Sequence, residues 1–172
     1  MWTKALENEY LECISDLINN PLVQKMDTIE QHIDDMSCLD HSIYVSAISF
    51  ALCKKWKLNA RDAARAGLLH DLYLLKWKDT DYGNWERLKI HPQIALQNAN
   101  NNFELTELEQ DIIVKHMWPL CPTKVPKYKE SFIVNIVDTA CAIAEFTHIY
   151  KTKAMTALIT RLNKRRFALS QA

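Results

Sequence analysis

The sequence predicts an all-α protein, and three observations carry that prediction. Apolar residues recur at spacings of three and four along most of the chain, and no alternation of period two is long enough to make a strand. Only two Gly and five Pro occur in 172 residues, fewer turn formers than a many-stranded sandwich or barrel needs. The chain is 48% hydrophobic and 24% charged, the balance of a soluble globular protein rather than a disordered one. Its length suits one domain spanning residues 1–172.

The elements follow in order. Leu6, Tyr10, Cys13, Ile14, Leu17 and Ile18 make one stripe of an N-terminal helix over 3–19, which carries several acids. Pro21 interrupts it, and a short element follows to about residue 35. Ile43, Ala47, Phe50, Ala51 and Lys54 mark a helix over 42–56. Asn59 caps the next, from Ala60 to about Tyr73, with Asp62 at the third position after the cap. Residues 76–90 mix charge with Trp77, Tyr82, Gly83 and Trp85, and read as a loop or lid. Pro92 suits the first position of a helix, which makes His91 its cap. Thr106 and Glu109 form a capping box for a helix that stops near Trp118, because a residue before proline disfavours helical angles. Pro119, Pro122 and Pro126 stiffen the loop 119–129. An apolar helix runs from about Glu130 to Tyr150, and a basic one from Thr156 to Leu169.

The 21 basic and 21 acidic residues cancel, so nothing points to nucleic acid as an obligatory partner. The charges are unevenly placed. Residues 1–40 hold nine acids against Lys4 and Lys25, and residues 146–172 hold six bases and no acid. The acidic start is expected to dock on the basic end, within one subunit or across a homodimer. The alternative is a basic surface for an anionic partner. Five cysteines, an odd number with no C-x-x-C pair, read as reduced thiols of a cytoplasmic protein. No apolar stretch reaches the roughly 20 residues of a membrane span, and the start lacks the order of a signal peptide.

Three features carry chemistry. His70-Asp71 lies inside Ala-Gly-Leu-Leu-His-Asp-Leu-Tyr-Leu-Leu, where a buried carboxylate needs a partner or a metal. Asp138 is the only charge between Ser131 and Ala144 and poses the same question. His41, His91 and His116 stand alone at the ends of elements. Each could by itself be a satisfied core or surface residue, and Asp138 the partner of an Arg. Together, six N and O donors from five segments suit one or two divalent metals.

The order His41, His70-Asp71, Asp138 resembles the HD-domain superfamily of metal-dependent phosphohydrolases. The resemblance covers roughly residues 30–150. Leu-Asp-His-Ser-Ile-Tyr-Val-Ser around His41 is typical of the first motif and Ala-Gly-Leu-Leu-His-Asp of the second. His91-Pro92 and His116 take the places of the extra histidines of the dinuclear branches. His32 precedes the first motif as in some relatives, in a supporting position, and His148 falls outside the pattern. The resemblance implies a single compact helical bundle with one or two divalent metals, chosen among Fe, Mn, Zn, Co and Ni. His41, His70, Asp71 and Asp138 would hold one metal. Asp71 would bridge to a second, held by His91 and His116. His70 and Asp71 would be catalytic. The implied reaction is cleavage of a phosphate ester of a small molecule or nucleotide by a metal-activated hydroxide.

Two further readings accompany that one. The fold and ligand set also occur in mixed-valent di-iron oxygenases, and Leu74, where several dinuclear relatives carry Lys, weakens the sugar-oxidising version. The same Leu74 counts against the cyclic-dinucleotide branch, and the Glu-Asp motif of alarmone hydrolases is not evident. A non-catalytic signalling module is the other reading; the complete ligand set argues against it. Phosphate contacts are expected from Lys124 and Lys127, after His116, or from Lys76 and Lys78, before His91; the bland alternative is that these are solvated charges. Trp77, Tyr82, Trp85, Trp118 and Tyr128 could stack on a base or simply pack. Gly67 is expected to allow close helix packing beside the site.

Overall fold

The structure, a computed structural model, describes residues 2–29, 36–76, 79–147 and Thr160. Thr3 opens the first helix by accepting the Leu6 N–H at 3.2 Å, and α1 runs Lys4–Cys13. The single helix expected over 3–19 breaks at Ile14, which leaves helical angles at φ −112°, ψ 9°, and resumes as α2, Ser15–Ile18. Asn20 caps α3, Pro21–Gln24, and Pro21 sits in its first turn, where a missing N–H costs nothing. A 3-10 turn follows over Lys25–Thr28.

The next helix begins four residues before the expected start. Ser37 Oγ accepts the Asp40 N–H at 3.1 Å and launches α4, Cys38–Lys55. Its first turn is buried at Cys38, Leu39 and His41, so the apolar stripe does not mark the boundary and the cap does. Asn59 caps α5, Ala60–Leu69, as the sequence predicts. The helix ends at Leu69 instead of about Tyr73. The Tyr73 N–H turns back to the Asp71 carbonyl at 2.7 Å, and Leu74 takes a left-handed φ of 54°.

The region read as a loop over 76–90 is corrected in part: α6 spans Asn84–Asn102. Gly83 supplies the cap position, and its N–H donates to Glu86 Oε2 at 2.9 Å. His91 is therefore not a cap but an interior residue, and Pro92 lies inside the helix. A proline there removes the donor for the carbonyl four residues earlier. That carbonyl, Leu88, instead receives the Cys121 thiol, Sγ to O 3.5 Å. The Thr106–Glu109 capping box forms in both directions, at 3.1 and 2.7 Å, and starts α7, Glu107–Lys115. This helix ends three residues short of Trp118, whose bond to Pro119 is cis. The last helix, α8, is Lys129–Phe146.

Among the described residues there are eight α-helices and no strand, and no helix is long and apolar enough to cross a membrane. The C-terminal helix expected over 156–169 lies outside the described residues except for Thr160, and so does its docking on the acidic start. Within the described part, Glu9 pairs with Lys54, and Asp16 accepts Arg65 Nη1 at 2.5 and 2.7 Å.

The arrangement is built around α4, which packs on α5, α8, α1 and the 3-10 turn, while α5 also packs on α7 and α8. Gly67 explains how closely α4 and α5 approach. A Cβ there would stand 3.0 Å from Ser46 Cα and 3.2 Å from Ser46 N. Ser46 Oγ donates to the Ala64 carbonyl at 2.6 Å and accepts from the Tyr10 hydroxyl at 3.0 Å, so α1 joins the same contact. Arg65 ties α5 to α7, its Nε donating to the buried Glu109 Oε1 at 2.6 Å. Tyr10 and Phe50 are fully buried and form an aromatic cluster with Trp2.

Candidate metal centre

Five elements bring the six donors to one place. His41 sits in the first turn of α4, His70 and Asp71 just past α5, His91 in mid-α6, His116 just past α7 and Asp138 in mid-α8. Their ligand atoms form three overlapping sets, each within 4.8 Å: His41 with His70 and Asp71; His70 with His116 and Asp138; Asp71 with His91 and His116. Asp71 is central. Its Oδ2 lies 3.6 Å from His70 Nε2, and its Oδ1 lies 3.5 Å from His91 Nε2 and 3.6 Å from His116 Nε2.

Backbone carbonyls of their own helical segments aim three of the rings, two of them at helix ends. His70 and His116 follow the last residues of α5 and α7, where backbone carbonyls lack intrahelical donors. His70 Nδ1 takes the Gly67 carbonyl at 2.8 Å, and His116 Nδ1 takes that of Ile113 at 2.8 Å. Within α6, His91 Nδ1 takes the Arg87 carbonyl at 2.8 Å. A carbonyl only accepts, so each Nδ1 carries the hydrogen and each Nε2 turns inward. In a neutral ring that nitrogen carries the lone pair that can bind a metal.

His41 is held differently. Its Nε2 lies 3.0 Å from Asp138 Oδ1, and its Nδ1 lies 2.7 Å from Glu145 Oε1. Glu145 was missed in the sequence. The signal was present, because Glu145 follows Asp138 by seven residues and so shares its face of α8. Asn135 was missed as well. Its side-chain amide donates to the carbonyls of both His116 and Trp118, clamping the His116 turn onto α8.

Charge follows this geometry. Burial alone would raise the pKa of Asp71, but His70, His91, His116 and His41 hold it well below the usual carboxylate range. Asp138 is likewise lowered against its burial, by its hydrogen bond to His41 and by the nearby charges of His70 and His41. Burial, with His70 and His91 close by, pushes His116 down to about 4. Burial would also lower His41, yet its bonds to Asp138 and Glu145 carry it up to about 10. The two carboxylates are thus held low, while the imidazoles of His41 and His116 are driven in opposite directions.

The residues fit a metal on two observations. His70 Nε2 is buried, has no hydrogen-bond partner among the described residues, and stands 3.5 Å from Asp138 Oδ1. His91 Nε2 and His116 Nε2 converge to 2.8 Å, although both rings carry the hydrogen on the opposite nitrogen. Four imidazoles and two carboxylates suit Fe, Mn, Zn, Co or Ni rather than Ca. The site opens on the side of Asp138 and His91, whose side chains are 14% and 11% exposed, against none for His41 and His70.

Of the expected phosphate contacts, Lys124, Lys127 and Lys76 are exposed, and Lys78 lies outside the described residues. Lys127 Nζ stands 5.0 Å from the centre of the Tyr128 ring.

Residues 38–145 match the family model of the HD domain. Among solved structures the chain is similar to the HD domain of the L. monocytogenes phosphodiesterase PgpH in complex with cyclic-di-AMP. The identity is 18%, the match covers 90% of this chain and 87% of that one, and the TM-score is 0.49. No curated protein matches the sequence.

Proposed function

The chain belongs to the HD-domain family, and on that premise we propose that it is a metal-dependent phosphohydrolase acting on a phosphate ester of a small molecule or nucleotide. The observation that carries this reading is the convergence of six donors from five elements around Asp71. His41, His70, Asp71 and Asp138 would hold one divalent ion, and Asp71, His91 and His116 a second. Ions held there would supply Lewis acidity toward phosphoryl oxygens and lower the pKa of a bound water.

The protein's own groups do the rest. Asp71, its carboxyl held well below the usual range by the surrounding imidazoles, turns one oxygen toward His70 and the other toward His91 and His116, so it can serve both ion positions. The carbonyls of Gly67, Arg87 and Ile113 fix three imidazoles before any ligand arrives. Such preorganisation avoids reorganising dipoles during reaction. The packing behind His41 and His70 excludes water, so a substrate approaches from the side of Asp138 and His91. Lys124 and Lys127, or Lys76 and Lys78, would meet its phosphate oxygens.

The test is metal analysis of protein purified without added metal, followed by a screen of phosphomonoesters, nucleotides and cyclic dinucleotides. Two equivalents of transition metal and release of phosphate or a nucleoside phosphate are expected. Absence of bound metal, or turnover unchanged in Asp71→Ala, overturns the reading.

A further inference from the structure

Three of the four histidines at the centre are oriented by carbonyls of their own helical segments. His41 is the exception. It sits in the first turn of α4, and its Nδ1 crosses to another helix, reaching Glu145 Oε1 at 2.7 Å. Its orientation therefore depends on a tertiary contact. Glu145 is 1% exposed, and its Oε2 has no hydrogen-bond partner among the described residues. A buried carboxylate with one idle oxygen is costly unless the other oxygen does something that compensates. Asp138 lies on the same face of α8, two turns earlier, with Oδ1 3.0 Å from His41 Nε2. One rigid helix thus grips both nitrogens of one ring.

We propose that Glu145 is a positioning residue for the metal centre: it holds His41 Nδ1 so that Nε2 faces Asp138 and His70. A carboxylate accepting from Nδ1–H selects the tautomer whose Nε2 can ligate, and it makes that nitrogen more basic. The inference rests on the metal reading of the site. It assigns Glu145 no direct contact with metal or substrate.

The experiment is titration of the metal-free full chain with Co²⁺, followed by visible absorption. It compares wild type, Glu145→Ala, Glu145→Gln and His41→Ala, with ¹⁵N shifts of the His41 ring recorded on the Zn²⁺-loaded proteins. Glu145→Ala is expected to weaken Co²⁺ binding by about 10–100-fold. Glu145→Gln should recover part of that loss, because its amide oxygen still accepts from Nδ1–H but carries no charge. The ring shifts should report the Nδ1–H tautomer in wild type and a changed pattern in Glu145→Ala. A merely structural glutamate would leave those shifts alone. If Glu145→Ala does not fold, Glu145→Gln decides: Co²⁺ affinity equal to wild type with unaltered ring shifts overturns the proposal. If wild type binds no Co²⁺, or His41→Ala binds it as wild type does, the metal reading fails. If His41→Ala weakens binding but Glu145→Ala does not, only the positioning role fails.

Discussion

His91 Nε2 and His116 Nε2 face each other across 2.8 Å, one from the middle of α6 and one from the end of α7. Each ring gives its Nδ1 hydrogen to a carbonyl, so two acceptor nitrogens point into one space. A shared cation or proton relieves that conflict. His116 is pushed down to about 4 by burial and the neighbouring imidazoles, which favours the neutral, metal-ready form. His116→Ala should therefore lower bound metal from two equivalents to one, read by elemental analysis. Unchanged stoichiometry removes His116 from the ligand set.

Asp71 differs because both of its oxygens face imidazoles, Oδ2 toward His70 and Oδ1 toward His91 and His116. Losing it removes the charge common to both ion positions. Asp71→Ala should bind neither ion and lose all turnover. Retention of a full equivalent of metal by this variant shows that Asp71 does not bridge.

Much of this candidate site was legible because its two carboxylates are chemically out of place in their segments. Asp71 and Asp138 are carboxylates in apolar runs, and the caps at Asn59 and Thr106 mark helices α5 and α7 directly. What was not legible depended on partners distant in sequence. Pro92 reads as a helix start, but it sits mid-helix, where the thiol of Cys121, distant in sequence, meets the carbonyl it orphans. Gly83 has no side chain to announce a cap, so the start of α6 went unseen. Glu145 was readable only by its seven-residue offset from Asp138, and its function only from the contact to His41.

The close approach at Gly67 gives a stability test. Replacing Gly by Ala inside a helix gains about 1 kcal/mol in propensity. Here the new Cβ would meet backbone atoms of Ser46 at 3.0 and 3.2 Å, which cannot swing aside as a side-chain tip can. Overpacking of this kind costs about 1–3 kcal/mol. Overpacking should win, with Gly67→Ala losing up to about 2 kcal/mol in urea denaturation. A variant stabilised by the full helix-propensity gain contradicts the packing described for α4 and α5.

Asp111 predicts a pH dependence. Burial would raise its pKa, but it is lowered by Lys115, by the Lys127 N–H at 3.0 Å and by the Ser131 hydroxyl at 2.7 Å. A carboxylate whose folded pKa lies below its unfolded value, about 3.9, stabilises the fold above that value. The contribution is lost as pH falls through the folded pKa. Asp111→Asn should be less stable than wild type at pH 7 by about 1–3 kcal/mol, and the difference should shrink below about pH 4. A gap that is constant from pH 7 to 3 assigns the effect to packing instead.

The loop between α7 and α8 supplies the last prediction. It starts beside His116, and its far end is anchored by the Lys127 N–H on Asp111 Oδ2 and by the start of α8 at Lys129. Three prolines limit its backbone freedom, and Pro126 is buried. Lys124 and Lys127 are exposed on this anchored segment, which begins three residues after His116. Both side chains are exposed whereas the candidate ligands are largely buried, so changing both should leave metal binding intact. Lys124→Ala combined with Lys127→Ala is expected to raise KM for a phosphorylated substrate by roughly tenfold, with kcat and metal content held, since the loss falls on ground-state and transition-state binding alike. A fall in kcat with KM unchanged would place these lysines at the reacting phosphoryl group instead. Unaltered kinetics would move the search for phosphate contacts to Lys76, Lys78, Arg87 and Lys89.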